Sequence, residues 1–232
     1  MNVIVTGASR GIGRGIATVL AMDGFTVGLL ARSGDLLNDV REGIESQGGK
    51  SVLATCDLGD YDITVAAIDD LSEQMGGIDA LINNAGSVVR KSVLELSVDD
   101  WHAMVDTNIH GVFHATKAVL PHLQARGGGR IINLSSISGK YPLPGGSGYA
   151  ATKYAVTGFS QSIFHELRDQ NIQVSTIYPG SVDSQSERHA DDSDSSWKVS
   201  PEEVGQACAF ILKSHSGTVI HEMEIRPLKK GS

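Results

Sequence analysis

Six short runs rich in β-branched and aliphatic residues recur along the chain: NVIVT (2–6), FTVGLLA (25–31), SVLATC (51–56), IDALINN (78–84), GRIINLSS (129–136) and IQVSTIYP (172–179). Longer amphipathic stretches separate them, the pattern of strands alternating with helices. Parallel neighbours are joined only through crossover connections, and these are right-handed, so the runs must lie side by side with helices above and below. The expected fold class is α/β, a single-domain doubly wound parallel sheet over residues 1–232. Helices are expected at about 11–23, 35–48, 60–75, 99–124, 149–170 and 201–214, with a last strand near 218–225.

Composition narrows what such a fold can serve. A chain of 232 residues, 41% apolar and 20% charged, buries a sizeable core without staples. Cys56 and Cys208 stand far apart with no CxxC partner, so neither a disulfide framework nor a zinc site is expected, and a reducing, cytoplasmic setting fits. MNVIVTG runs straight into a strand without the features of a signal peptide, so no export is expected. No window approaches the roughly 18 apolar residues of a transmembrane helix, so no membrane partner is expected. A net charge of -8 repels phosphate backbones and speaks against nucleic acid.

Directly after the first run comes TGASRGIG (6–13), which opens the first helix. Gly7, Gly11 and Gly13 let the backbone turn sharply and approach a ligand, while the helix N-terminus offers unpaired amides to a pyrophosphate. Ser9, Arg10 and Ile12 complete a candidate dinucleotide turn of the Rossmann type. Its spacing is GxxxGxG, unlike the common GxGxxG, and it lacks the GK[ST] of a nucleoside-triphosphate loop. Near the other end of the chain, residues 184–200 (SQSERHADDSDSSWKVS) are polar and acidic and carry no periodicity. Ligands of doubly wound sheets bind beyond the carboxyl ends of the strands, so this segment reads as a substrate lid rather than a plain solvated connection.

Of the tyrosines at 61, 141, 149, 154 and 178, only Tyr149 has a lysine four residues later. On a helix those positions share a face, so the Lys153 ammonium can sit beside the Tyr149 phenol. A free phenol holds its proton to a pH of about 10, and a nearby cation favours the phenolate. Lys153 is therefore expected to tune Tyr149 for proton transfer. Ser136 ends the run GRIINLSS at the sheet edge where ligands bind. Ser135, its neighbour, should face the other side of the strand and serve packing or backbone bonding.

TGxxxGxG at the N-terminus, NNAG at 83–86 and YxxxK at 149–153 together resemble the short-chain dehydrogenase/reductase family, over essentially the whole chain. The resemblance implies a catalytic serine thirteen residues before the tyrosine, which is Ser136, and a supporting asparagine in DTNIHG, which is Asn108. Ser136 would polarise a substrate carbonyl, and Asn108 would support a water linking Lys153 to solvent. It further implies cofactor contacts from Asn84, Ala85 and Gly86, from Asp57 at the adenine, and from Tyr149 and Lys153. Pro179, Gly180, Val182 and Ser184 would border the nicotinamide, Ser184 replacing a commoner threonine. A homodimer or homotetramer is the implied assembly.

NAD-using members of such folds hold the adenosine ribose with a carboxylate at the end of the second strand. Here that end reads GLLARS, with Ala31 where the acid would stand and Arg32 next to it; Arg10 approaches from the glycine turn. Two guanidinium groups without an acid between them favour a 2′-phosphate, hence NADP(H). His110 and His114 have a metal-like spacing but no third ligand, and DDSDSS lacks the glycine and final glutamate of a calcium loop, so no metal is expected. The expected activity is NADP(H)-dependent hydride transfer to or from a small-molecule carbonyl or alcohol substrate, with Tyr149 as general acid/base. Two alternatives stand beside it. One is a 3-hydroxy acid (hydroxy amino acid) dehydrogenase, which the EIRP ending resembles; the other is a catalytically silent dinucleotide-sensing regulator.

Overall fold

A computed structural model describes residues 1–142, 144–184 and 195–229. Its strands are β1 (Asn2–Thr6), β2 (Thr26–Ala31), β3 (Lys50–Thr55), β4 (Ala80–Asn83), β5 (Gly129–Leu134), β6 (Ile172–Pro179) and β7 (Glu222–Ile225). They form one sheet in the order β3-β2-β1-β4-β5-β6-β7, and every pairing is parallel. The strand order reverses between β1 and β4, where a doubly wound sheet opens its ligand crevice. Val3, Ile4 and Val5 are fully buried, as a central strand covered on both faces requires.

The helices are α1 (Gly11–Met22), α2 (Gly34–Ser46), α3 (Tyr61–Met75), α4 (Val98–Val105), α5 (Gly111–Ala125), α6 (Ser147–Leu167) and α7 (Pro201–Leu212). One core unites α1, α2 and α7 with alternate strand residues such as Val3, Val5 and Leu29. A second lies under α3, α5 and α6, against Ile4, Leu30, Leu81 and Ile131. Period-2 alternation along buried strands thus feeds two separate helix layers. Sequence signals mark several ends: Asp60 caps α3 by accepting from Ile63 N at 3.0 Å, and Ser200, Pro201 and Glu203 make a capping box for α7.

Several expected boundaries move, three of them for visible reasons. The helix expected at 99–124 is split by a π turn, Asp106–His110, in which Gly111 N reaches back to Asp106 O. The strand expected near 218–225 narrows to Glu222–Ile225, because Thr218 N closes a turn on His215 O and Gln173 Nε2 takes the Ser216 carbonyl. The helix expected at 149–170 begins earlier, at Ser147, and gives way to a 3-10 turn closed by Asn171 at φ 58°. No helix among the described residues is long and apolar enough to cross a membrane.

Register brings Asn83, Asn133, Thr176 and Glu222 into one row across β4, β5, β6 and β7. Asn83 Nδ2 donates to Asn133 Oδ1 at 2.8 Å and to Thr116 Oγ1 of α5 at 3.0 Å. Asn133 Nδ2 donates to Ser160 Oγ of α6 at 2.8 Å. A one-residue slip would break these buried bonds, so the row locks the register of the strands whose ends build the site.

Of the expected lid, residues 185–194 lie outside the described residues. Its described ends are tied together: Val182 bridges Val199, and Ser195 Oγ donates to Asp183 Oδ2 at 2.6 Å.

Candidate active site

The glycine turn lies against two strand ends. Gly7 N and Ala8 N both donate to Leu30 O of β2, and Gly7 adopts φ 66°, a left-handed conformation that favours glycine. A Cβ on Gly7 would lie 2.8 Å from Ala85 Cα. A Cβ on Gly13 would strike the Gly7 carbonyl oxygen and come 2.5 Å from Asn84 Nδ2. No side chain caps α1, so its first amides face the turn. Gly13→Ala is expected to weaken binding of a dinucleotide at least about tenfold, because backbone and not a flexible tip must yield to the methyl group. Isothermal titration reads this, and an affinity within twofold of the parent would remove the turn from the cradle.

NNAG is bolted to the end of β1. Thr6 Oγ1 accepts from Asn84 N and Ala85 N, each at 3.0 Å, and Asn84 Nδ2 donates to Thr6 O at 2.9 Å and Gly7 O at 3.3 Å. Asn84, Ala85 and Gly86 therefore stand beside Gly7 and Gly13. Asn84 holds that corner together with its side-chain amide. Thr6, the first residue of TGxxxGxG, shares in it through its hydroxyl.

Arg10 is the exposed N-cap of α1, and Arg32 is exposed directly after β2. The Leu30 bonds hold the turn that carries Arg10 against the strand end that carries Arg32. Asp57 follows β3, where Cys56 N bonds Ala31 O, and its Oδ1 accepts from Gly59 N at 3.0 Å. Ala31, Arg32 and Asp57 thus share one corner of the sheet's carboxyl edge, with no acidic side chain at the end of β2.

Lys153 is buried, and its Nζ donates to Leu134 O, the end of β5, at 2.8 Å. That Nζ lies 5.8 Å from the centre of the Tyr149 ring one turn earlier on α6. A Cβ on Gly86 would sit 3.9 Å from Lys153 Nζ and 3.4 Å from Asn108 Oδ1, so lysine, asparagine and NNAG meet at one place. Asn108 sits within the π turn, fully buried. Its Oδ1 accepts from Ser87 N at 2.7 Å, and its Nδ2 donates to Ser87 O at 2.8 Å and Thr152 Oγ1 at 2.9 Å. Thr152 Oγ1 in turn donates to Tyr149 O at 2.8 Å, linking Asn108 to the helix of the tyrosine. A π turn breaks the regular helical ladder, and such breaks recur at functional sites. Thr152 has no sequence signal, since its partner is 44 positions away.

The adjacent serines diverge. Ser135 Oγ donates to Lys153 O at 3.1 Å and pairs with Thr157 Oγ1 at 3.0 Å, facing α6. Ser136 begins a 3-10 turn, and its Oγ accepts from Ser138 N at 3.1 Å, leaving the hydroxyl hydrogen to donate. Across the edge, Gly180 N bonds Ile225 O at 2.7 Å, which fixes the Pro179–Gly180 turn to β7. Val182 is buried, and Ser184 lies over the glycine turn, its carbonyl 2.9 Å from where a Gly11 Cβ would be. His110 Nδ1 pairs with Asp106 Oδ1 at 3.1 Å and His114 Nδ1 with Leu58 O at 2.8 Å.

The family model described as short chain dehydrogenase matches residues 1–195. An uncharacterized oxidoreductase of Staphylococcus epidermidis is 33% identical, over 97% of this chain and 96% of its own length. A 3-oxoacyl-[acyl-carrier-protein] reductase FabG of Staphylococcus aureus is 36% identical, over 78% of this chain and 74% of its own. Among solved structures, an alcohol dehydrogenase of the archaeon Thermococcus sibiricus complexed with 5-hydroxy-NADP aligns with TM-score 0.89 and 27% identity, covering 100% of this chain and 98% of that one. The closed form of a serine dehydrogenase complexed with NADP+ aligns with TM-score 0.89 and 28% identity, covering 100% and 97%.

Proposed function

The chain belongs to the short-chain dehydrogenase/reductase family, and from that premise we propose that it is an NADP(H)-dependent oxidoreductase acting on a small carbonyl or alcohol. The observation that carries the proposal is the meeting of Lys153 Nζ with Tyr149 and Asn108 at the carboxyl edge of the sheet, where that Nζ bonds the Leu134 carbonyl two residues before Ser136. A dinucleotide fits this chain: Gly7 and Gly13 let the turn pack directly onto Ala85, Asn84 and its own backbone, where a Cβ would collide, and the α1 N-terminus opens at that turn without a side-chain cap. Gly7, Ser9, Arg10, Gly11, Ile12, Gly13, Arg32, Asp57, Asn84, Ala85 and Gly86 would hold its phosphates and adenosine. Pro179, Gly180, Val182 and Ser184 would border its other end, with Tyr149 and Lys153. Two neighbours solved with NADP-type ligands support the choice of phosphate.

When bound, the nicotinamide supplies or accepts the hydride. The Ser136 hydroxyl donates to the substrate oxygen and orients it. The Tyr149 hydroxyl gives its proton to that oxygen in reduction and takes one back in oxidation. Lys153 keeps a positive charge beside the phenol, and Asn108 anchors the path by which the proton is replaced from solvent. Trp101 and Phe113, at 40% and 50% exposure, are apolar side chains that a homodimer or homotetramer would cover.

A second reading has its own observation. Arg226, after β7, holds its guanidinium 5.1 Å from the centre of the Tyr141 ring, and its Cα is 3.5 Å from where a Gly180 Cβ would be. That guanidinium is paired with Glu224, and a substrate carboxylate would compete with Glu224 for it, which suits a 3-hydroxy acid, in keeping with the serine dehydrogenase neighbour. The deciding experiment is a steady-state panel of aldehydes, ketones, 3-hydroxy acids with their methyl esters, and an acyl-carrier thioester, each with both cofactors. Turnover of neutral carbonyls with NADPH is expected. A preference of acids over their esters would favour the second reading, and fastest turnover of the thioester would favour the acyl-carrier activity of the Staphylococcus aureus relative. NADPH binding without any turnover would make the chain a sensor.

A further inference from the structure

The 3-10 turn after Ser136 runs into Lys140, where four elements meet. Lys140 Nζ donates to Glu222 Oε2 of β7 at 2.6 Å and lies over the Tyr178 ring of β6, 3.9 Å from its centre. The Lys140 carbonyl accepts the Tyr154 hydroxyl of α6 at 2.6 Å. Glu222 Oε1 accepts the Tyr178 hydroxyl and the Gln161 side-chain amide, each at 3.0 Å. Sequence spacing pairs only Tyr149 with a lysine; folding supplies a second pair, in which the tyrosine serves as a fixed donor.

Chemistry keeps this cluster in one state. Burial, and then the bond to Glu222, push the Tyr178 phenol up to about 12. The Lys140 bond above all, with those from Gln161 and Tyr178, holds the Glu222 carboxyl at about 2 against an ordinary 4.5. A carboxyl lowered in this way contributes stability that is present above its ordinary value and lost as pH falls towards 2. At neutral pH, Glu222 is an anion and Tyr178 a neutral donor.

Residues 137–142 follow Ser136 directly, and the Tyr154 bond ties the Lys140 carbonyl to α6, the helix that carries Tyr149, so the placing of both hydroxyls depends on this stretch. Connecting segments are the mobile parts of a fold unless something ties them down. β7, although at the sheet edge, is hydrogen-bonded to β6 from Thr176↔Glu222 to Pro179↔Ile225, and that ladder makes it an anchor. We infer that the Lys140–Glu222 ion pair is a positioning device for the reaction, setting the Ser136 hydroxyl against the Tyr149 hydroxyl. The inference rests on the roles proposed above for Ser136 and Tyr149. Lys140 itself touches no reacting atom in this scheme and acts through the segment it anchors. The pair is partly exposed, 26% and 29%, so solvent screens part of what it adds to stability, whereas a misplacement of about 1 Å can cost about a hundredfold in rate.

Lys140→Met keeps most of the length of the side chain and removes the charge; Lys140→Arg restores the charge. In Lys140→Met, kcat on the best carbonyl of the panel should fall about tenfold or more, with substrate KM and the NADPH dissociation constant within about twofold. The isotope effect with NADPH deuterated at the transferred position should rise, because hydride transfer becomes slower relative to the other steps. Lys140→Arg should recover most of the rate, and amide hydrogen exchange across residues 137–142 should be faster in Lys140→Met alone. A merely structural role would lower the number of NADPH sites and leave the isotope effect unchanged, and that result overturns the inference. So does exchange at the parent rate, a comparison that needs no turnover; a parent that reduces nothing would instead overturn the proposed function.

Discussion

Tyr149→Phe is expected to lower kcat by about 10²–10⁴-fold, the range over which a positioned general acid contributes. NADPH affinity should stay within a few-fold, because the ring still packs at 8% exposure and only the hydroxyl is lost. The Lys153–Leu134 bond does not involve that hydroxyl, so the ammonium keeps its anchor. A loss confined to kcat and kcat/KM, with cofactor binding intact, is the mark of an interaction made in the transition state. Rapid mixing with a saturating carbonyl, alongside calorimetric titration of NADPH, separates the two quantities. Activity within a few-fold of the parent would mean that another group donates the proton, and Tyr178 could not be that group, since it is buried and committed to Glu222.

Exchanging the corner after β2 should have the next largest effect. Ala31→Asp combined with Arg32→Ser is expected to turn a preference for NADPH of about a hundredfold or more into a preference for NADH. The new carboxylate would accept the ribose hydroxyls and repel a 2′-phosphate, while removal of Arg32 takes away one of two exposed cations. Arg10 remains, so NADPH binding should weaken without vanishing. Exposed guanidinium groups are screened within a Debye length of about 8 Å at physiological salt, so the parent preference should shrink as salt rises. The measurement is kcat/KM for both cofactors at low and high ionic strength. Equal use of NADH and NADPH by the parent at low salt would reduce Arg10 and Arg32 to ordinary surface residues. Lys153 and Tyr149, on the far side of the glycine turn, should keep their isotope effect in the double variant.

Much of the architecture is legible because its signals are local. NVIVT and IQVSTIYP coincide with β1 and β6 at both ends, since β-branched runs bounded by turn residues leave little freedom. Ser200, Pro201 and Glu203 announce α7 through a capping box within four positions. The π turn is not legible: an amphipathic pattern through 99–124 accommodates one extra residue in a turn without altering its hydrophobic face. Nor is the shortening of β7, which follows from Gln173 capturing the Ser216 carbonyl across 43 positions.

What the sequence determined by itself is therefore whatever short-range physics decides: parallel βαβ order, a glycine turn after the first strand, and a tyrosine and lysine one helical turn apart. Tertiary structure alone decided what those groups touch. It set Asn108 against Ser87 and Thr152, joined Thr6 to NNAG, and brought Lys140 to Glu222 over 82 positions. Such pairs leave no periodic trace, because a buried donor needs its acceptor only in space, and the chain is free to supply it from any strand that the sheet order brings alongside.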